Sequence, residues 1–292
     1  MTSPALLRPG WRETIYAVNG VDLHVVEAGS PHDPLLVLLH GFPEFWWGWR
    51  KLIDPLAAAG YHVVVPDMRG YNLSSVPSGV GAYSLELLVA DVIALADLFG
   101  AESFDLAGHD WGAAVAWWAA ATHPERIAHA AVLDGPHPDV WGRQAFKHPS
   151  QALRSSYVAV FQVPWLPEIV LSSFGFAALK ALMQSSALPE TFEPDAMDHY
   201  AQSWARPGRL RAMLNYYRAL RRRDARKDER RIVPPVLILW GTMDRFLERH
   251  VMEAGLPLCE NGSFVPVEGA THWLLLEQPE RVTSELLASL GR

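Results

Sequence analysis

The sequence predicts an α/β fold, with a mostly parallel central sheet, helices on both faces and an inserted helical cap. Three observations carry this. Apolar runs of strand length alternate with longer stretches of helical pattern, the arrangement that builds parallel sheets. At Asp105 to Val115 the chain reads as a buried strand, a tight turn and an alanine-rich helix, with Asp110 at the tip. From about Pro136 to Arg231 the pattern is helical, with proline breaks and no buried strand run. The expected division is a core domain of residues 1–135 and 232–292 and a helical cap of residues 136–231.

Taken in order, Thr14 to Ala28 reads as a hairpin. Two alternating runs flank Asn19-Gly20, a pair suited to a type I′ turn. Leu35 to Leu39 is wholly apolar, as a strand buried on both faces requires. A helix is expected from about Trp49 to Ala58, and a strand from Tyr61 to Val65. Ser84 is placed as the N-cap of a helix running to about Phe99, since a serine there accepts from free N–H groups of the first turn. Phe104 to Ala107 is the strand that feeds the turn at Asp110. The helix Trp111 to Ala121 leaves it and stops at His123-Pro124. Ile127 to Leu133 is a further buried strand, closing on Asp134-Gly135. Strand pattern resumes at Val236 to Trp240, before Gly241-Thr242-Met243-Asp244. A helix from about Glu248, a short strand at Ser263 to Pro266, the loop Gly269 to Trp273 and a final helix ending at Ser284 to Leu290 complete the chain.

Half of the 292 residues are hydrophobic, enough for a large core and too many for disorder. The net charge of −7 leaves no broad basic field for phosphates, which argues against a nucleic-acid partner. The one basic cluster, Arg218 to Arg231, is interleaved with Asp224, Asp228 and Glu229 and reads as a solvated helix face. Cys259 is the single cysteine. It allows neither an intrachain disulfide nor a cysteine metal cluster, and a reducing, cytoplasmic setting is expected. Met1 to Trp11 lacks an apolar signal-peptide core, and no apolar run reaches membrane-spanning length, so no membrane partner is expected. A monomer or homodimer is expected. Many of the 12 tryptophans gather at Trp46 to Trp49 and Trp111 to Trp118, which points to an aromatic pocket beside the turn.

Gly108-x-Asp110-x-Gly112 has the spacing of the nucleophile elbow G-x-S-x-G, with aspartate in place of serine. Asp110, Asp244 and His272 follow separate strand ends in that order, the chain order nucleophile, acid, base. A carboxylate is already charged at neutral pH and needs no activation. His272 is expected instead to deprotonate a water that hydrolyses a covalent ester, with Asp244 fixing its tautomer. Asp134 also stands at a strand end and stays open as the alternative relay acid. The oxyanion-hole candidates are the N–H groups of Phe42, in His40-Gly41-Phe42-Pro43, and of Trp111.

An aspartate nucleophile restricts the reaction. Attack on an ester carbonyl would give an anhydride, which the expelled alkoxide readily reverses. Substitution at a saturated carbon suits a carboxylate better, with a halide or an epoxide oxygen as leaving group. A halide leaves as a stable anion and needs N–H donors. An epoxide oxygen leaves as a basic alkoxide and needs a proton. Tyrosine, with a pKa of about 10, stays protonated at neutral pH and suits that task. Tyr157 and Tyr217 lie in helical segments of the expected cap, with Tyr216 as a neighbour.

With these motifs the chain resembles the epoxide hydrolases of the α/β-hydrolase fold, over almost its whole length. The resemblance rests on His40-Gly41-Phe42-Pro43-Glu44 with Trp46-x-x-Trp49-Arg50, on Asp67-x-Arg69-Gly70-Tyr71 and on Gly108-His109-Asp110-Trp111-Gly112. It continues through Phe161-Gln162-x-Pro164-x-x-Pro167-Glu168, Asn215-Tyr216-Tyr217-Arg218, Trp240-Gly241-x-x-Asp244 and Gly269-x-x-His272. It implies an α/β-hydrolase fold and the opening of an epoxide to a vicinal diol through an Asp110 ester. Tyr157 and Tyr217 would grip the epoxide oxygen. It further implies a small apolar or aromatic epoxide and water as partners, and no cofactor or metal. The expected pocket lining is His40, Pro43, Trp46, Phe161 and Trp273.

Dehalogenases on the same scaffold are also similar. Haloalkane dehalogenases share Asp110-Trp111 but usually carry Asn where Phe42 stands. Fluoroacetate dehalogenases favour an acid at the position of Asp134 and carry arginines where Trp111 and Ala114 stand. A catalytically silent, ligand-binding member of the fold is the third reading, and such a protein has no need of His272 as a base.

Overall fold

The computed structural model describes residues 6–220 and 230–291. Eight strands form one sheet in the order β1-β2-β4-β3-β5-β6-β7-β8. β1 (Arg12–Val18) and β2 (Val21–Ala28) are the hairpin. Its turn residues Asn19 and Gly20 both take positive φ, 46° and 75°, as a type I′ turn requires. β2 also pairs antiparallel with β4 (His62–Pro66). The remaining neighbours, β3 (Leu35–Leu39), β5 (Phe104–His109), β6 (Ile127–Leu133), β7 (Val236–Gly241) and β8 (Gly262–Val267), run parallel.

The chain leaves β3 to build β4 on one side, then crosses back to build β5 on the other. At such a switch point the two connections diverge and open a crevice at the strand C-terminal ends. β3 and β5 are buried along their whole length, so their ends are rigid supports. α1 (Ile53–Ala58), α2 (Leu85–Leu98), α3 (Trp111–Thr122), α10 (Arg249–Glu253), α11 (Leu274–Glu277) and α12 (Pro279–Ser289) alternate with the strands. α3 is apolar on nearly every face, as expected of a helix packed on a sheet and covered in turn.

Between β6 and β7 the described residues form helices: α4 (Pro138–Lys147), α5 (Pro149–Arg154), α6 (Ser156–Phe161), α7 (Leu166–Ser186), α8 (Ala196–Trp204) and α9 (Arg209–Leu220). Residues 221–229, which hold most of the basic cluster within Arg218 to Arg231, lie outside the described residues.

Two elements differ from expectation. The helix expected from Trp49 starts later: Trp46–Trp49 is a single 3-10 turn and α1 begins at Ile53. Trp46 and Trp49 are wholly buried, and the Trp46 N–H donates to Asp67 Oδ1 at 3.0 Å, which pins the turn to the β4 end. The second is α7. Its 21 residues are long and apolar enough to cross a membrane by length and composition. Pro164, Pro167 and Gly175 hide that length in the sequence. The helix is also broken, because Phe174, Gly175 and Phe176 take left-handed φ of 52°, 64° and 64°.

Candidate active site

The turn between β5 and α3 holds Asp110 at φ 52° and ψ −113°, a conformation that L-residues other than glycine rarely adopt. Close packing enforces it. A methyl at Gly108 would lie 2.1 Å from the Gly112 carbonyl oxygen, and one at Gly112 would lie 2.2 Å from that of Leu39. Strand and helix can meet only without those side chains, and the meeting pushes Asp110 up into the crevice.

Two neighbours frame the carboxylate. The Phe42 N–H, just past the end of β3, donates to Asp110 Oδ1 at 2.7 Å. His272 Nε2 lies 3.7 Å from Asp110 Oδ2, too far for a direct hydrogen bond. Burial raises the Asp110 carboxyl above its ordinary range, opposed by His272, by His109 and by the Phe42 and Trp111 N–H groups.

On its far side His272 Nδ1 lies 2.9 Å from Asp244 Oδ2. Asp244 Oδ1 accepts from the N–H groups of Phe246 and Leu247 at 2.6 and 3.1 Å, so the carboxylate is held at both oxygens. Burial works against a charged His272. The Asp244 carboxylate and then that of Asp110 outweigh it and raise the imidazole to about 10. A single row therefore runs Asp244, His272, Asp110.

Asp134 takes a different place. Its Oδ1 accepts from the Gly241 N–H at 2.9 Å, while Oδ2 has no hydrogen-bond partner. Burial and then the charge of Asp244 push its carboxyl well above the ordinary 3.8. A carboxyl shifted this way keeps a proton that the unfolded chain loses, so stability falls as pH rises above about 4, by up to ~1.4 kcal/mol per pH unit for one group. Asp134→Asn is expected to flatten that dependence, measured by urea unfolding from about pH 4 to about pH 7. An unchanged slope would mean that Asp134 is ionised in the folded protein.

His109, Asp134 and His272 bring ligand atoms within 4.8 Å of one another. His272 Nδ1 is committed to Asp244, and His109 Nε2 donates to the His272 carbonyl at 2.8 Å. Both histidines of the cluster thus already have a ring nitrogen engaged by another group.

The helices between β6 and β7 close the crevice. Tyr157 (α6) and Tyr217 (α9) line the same cavity as Asp110 and His272, with ring centroids 6.0 Å apart. Burial raises both phenols, and the charge of Asp110 adds to it. Tyr216 points elsewhere and donates to the Arg69 carbonyl at 2.7 Å. The inner chamber, of about 70 Å³, is walled by Trp111, Trp141 and Phe246 among others. It adjoins an outer chamber of about 490 Å³ between α4, α5, α6 and α9.

The expected pocket lining is only partly met. Pro43 and Trp273 line a small lobe beside Asp110. Phe161 stands behind the wall, packed on Phe42, Tyr157 and Tyr217. His40 and Trp46 line none of the described chambers around Asp110. His40 is buried beneath the site, where its Nε2 accepts from the Met68 N–H at 3.0 Å and burial lowers its pKa. Trp46 packs edge-on against Trp11 and Phe45. Both serve as core, because a buried aromatic next to a motif looks the same in sequence whichever way it faces.

Other contributors carried weaker signals. His109 Nδ1 lies 3.3 Å from Glu44 Oε2, and Glu44 accepts from the Tyr200 hydroxyl of α8 at 2.8 Å. Both His109 and Glu44 stand inside the motifs, which was the available clue. Trp141, Val158, Leu220 and Phe246 gave none, since they meet only in three dimensions.

Residues 34–279 match the family described as alpha/beta hydrolase fold. The chain is 42% identical to the AB hydrolase superfamily protein YfhM of Bacillus subtilis, over 93% of this chain and 95% of that one. It is 35% identical to epoxide hydrolase A of Mycobacterium tuberculosis, over 95% and 97% of the two chains. Among solved structures, a variant of an epoxide hydrolase from Bacillus megaterium, complexed with its product (R)-3-[1]naphthyloxy-propane-1,2-diol, superposes with a TM-score of 0.87. That match has 30% identity and covers 96% of this chain and 100% of the other.

Proposed function

The chain belongs to the alpha/beta hydrolase fold family, and on that premise we propose that it is an epoxide hydrolase, opening an epoxide to a vicinal diol through an ester on Asp110. The observation that carries this reading is the meeting of Tyr157 and Tyr217 with Asp110 and His272 in one cavity. Those two hydroxyls are the proton donors that an alkoxide leaving group needs and a halide does not. The names of its relatives support the same reading.

In the first step Asp110 Oδ2 attacks an epoxide carbon, the carbon–oxygen bond breaks, and a tyrosine proton goes to the oxygen. Asp110 Oδ1 stays on the Phe42 N–H. In the second step a water beside His272 attacks Asp110 Cγ and gives one proton to Nε2. The Phe42 and Trp111 N–H groups hold the tetrahedral oxyanion. On collapse the departing oxygen takes the proton back from His272 and the diol is released. The second water proton then leaves the Asp110 carboxyl for His272 Nε2, which restores the carboxylate and the resting imidazolium.

The charges fit this order. In the resting site two carboxylates flank His272 and hold it protonated. Esterification removes the charge of Asp110, so the imidazolium loses one of the groups that raised it. Its Nε2 proton passes to the tyrosinate left by the first step, which restores the phenol and frees Nε2 as a base for the second. Asp244 remains to stabilise the imidazolium.

The bound product of the Bacillus megaterium relative carries a naphthyloxy group. The largely apolar outer chamber of about 490 Å³, with Trp141 and Tyr217 in its wall, supports apolar, aryl-bearing epoxides as substrates here. A paired assay tests the reading: diol from an aryl epoxide against halide from a haloalkane and a haloacid. Diol alone is expected, and halide release without diol would sink it. Tyr157→Phe and Tyr217→Phe should each lower kcat/KM for the epoxide by roughly 10²-fold, the scale of a lost general acid. Rates within a few-fold of the parent for both variants would remove the tyrosines from the chemistry.

A further inference from the structure

The cavity over Asp110 has two arms of unequal size. Both are lined by Asp110, Tyr157, Tyr217, Phe246 and His272, so they meet above the nucleophile. One arm is the inner chamber of about 70 Å³, which adjoins the outer chamber of about 490 Å³. The other is the small lobe of about 20 Å³, closed by Phe42, Pro43, Leu182, Met183 and Trp273. A cavity needs roughly 10–15 Å³ to hold one water molecule. The small lobe therefore takes a single group of about that size, such as a methyl.

The walls of this lobe are fastened from behind. The Pro43 carbonyl accepts from Trp204 Nε1 of α8 at 2.6 Å. Trp273 Nε1 donates to Ser186 Oγ, in the last turn of α7, at 3.0 Å. The Ser186 hydroxyl in turn donates to the carbonyls of Leu182 and Met183 at 2.8 and 3.0 Å. The Glu277 carboxylate joins the chain after α7 to the loop before His272. Its Oε1 accepts from the Leu188 N–H at 2.9 Å and its Oε2 from the Thr271 N–H at 2.7 Å. The end of α7 and the loop that carries His272 are thus one unit, and the lobe between them keeps its width. Met183, wholly buried, is the long, unbranched side chain in that wall, and such a chain fills a gap to the shape left for it.

We propose that the small lobe restricts the substrate to epoxides with one large substituent, and that Met183 sets the limit on the other ring carbon. The inference rests on the epoxide reading above. With the ring oxygen at Tyr157 and Tyr217 and a ring carbon over Asp110, the substituents of the two carbons diverge. An aryl or long alkyl group enters the large arm. The carbon at the small lobe carries hydrogen or one methyl. The substrate class is then the terminal or methyl-substituted epoxide, and epoxides with a bulky group on each carbon are excluded.

The test uses aryl epoxides alike at the aryl-bearing carbon, with hydrogen or a trans methyl, ethyl or propyl group on the other. Diol formation gives kcat/KM for each. The hydrogen and methyl compounds are expected within a few-fold of each other. Ethyl and propyl should each lower kcat/KM by a further ~10-fold or more, the scale of one methylene too many in an apolar pocket. Met183→Ala should raise the propyl-to-hydrogen ratio by ~10-fold or more. Poor folding lowers both rates and leaves that ratio alone, so the ratio reports the lobe. Met183→Val, which keeps more of the packing, should move the ratio the same way. Equal rates of the native protein on the hydrogen and propyl compounds would overturn the proposal and leave the epoxide reading intact. So would a native preference that neither substitution relaxes, which would leave the small lobe to the hydrolytic water. No diol from any member of the series would overturn the epoxide reading itself, and the proposal with it.

Discussion

Asp110→Asn is expected to reduce diol formation by about 10⁴-fold or more, with no loss of fold. Loss of a covalent nucleophile typically removes most of an enzyme's rate enhancement. The amide is nearly isosteric and can still accept from the Phe42 N–H at the place where Oδ1 now accepts it at 2.7 Å. What it lacks is the charge and the free lone pairs to attack a saturated carbon. The change also removes the charge of a carboxyl that burial already raises above its ordinary range, so the melting temperature should move little or rise. Initial-rate assays with an aryl epoxide and a thermal melt on the same sample check both. A variant retaining a tenth of the activity would exclude a covalent role for Asp110.

His272→Gln should separate the two steps. Attack by Asp110 needs no base, so the ester should form in one turnover and then persist. Intact-protein mass spectrometry after brief exposure to substrate is expected to show one adduct, heavier by the mass of the epoxide, while steady-state turnover falls by about 10³-fold or more. Glutamine can fill the space but cannot accept the proton of the attacking water. Absence of the adduct, with substrate bound, would place His272 in the first step or exclude the ester. Asp244→Asn should accumulate the same adduct more weakly, because it disturbs the tautomer that the 2.9 Å contact with His272 Nδ1 maintains. Asp134→Asn should not accumulate it, since Asp134 is engaged by the Gly241 N–H instead. The opposite ranking would move the relay to Asp134.

The framework was legible because local chemistry and tertiary demand agree there. The all-apolar run Leu35–Leu39 is β3, and Asn19-Gly20 is the hairpin turn. The elbow could be read because the glycines around Asp110 are required by contacts shorter than a van der Waals radius allows for any other residue. The relay acid was not legible. Asp134 and Asp244 both follow strand ends, and only the three-dimensional contacts distinguish them: Asp244 Oδ2 reaches His272 Nδ1, while Asp134 Oδ1 is held by the Gly241 N–H. The pocket wall was legible where residues belong to the elbow or to the tyrosine motifs. It was misread at His40 and Trp46, whose side chains turn into the core.

The crowding at Gly108 and Gly112 also bears on how such a protein can diversify. The turn that presents Asp110 has almost no substitutions open to it, because each added methyl would strike a carbonyl of an adjacent element. Trp141, Val158 and Leu220, on the walls from α4, α6 and α9, line the cavity instead, and a change in their size would alter its shape without touching the turn. The reaction and the choice of substrate are thus inherited separately along one chain. A mutagenesis library seeking new substrates belongs in the helices between β6 and β7, and variants drawn from it should share an unaltered turn.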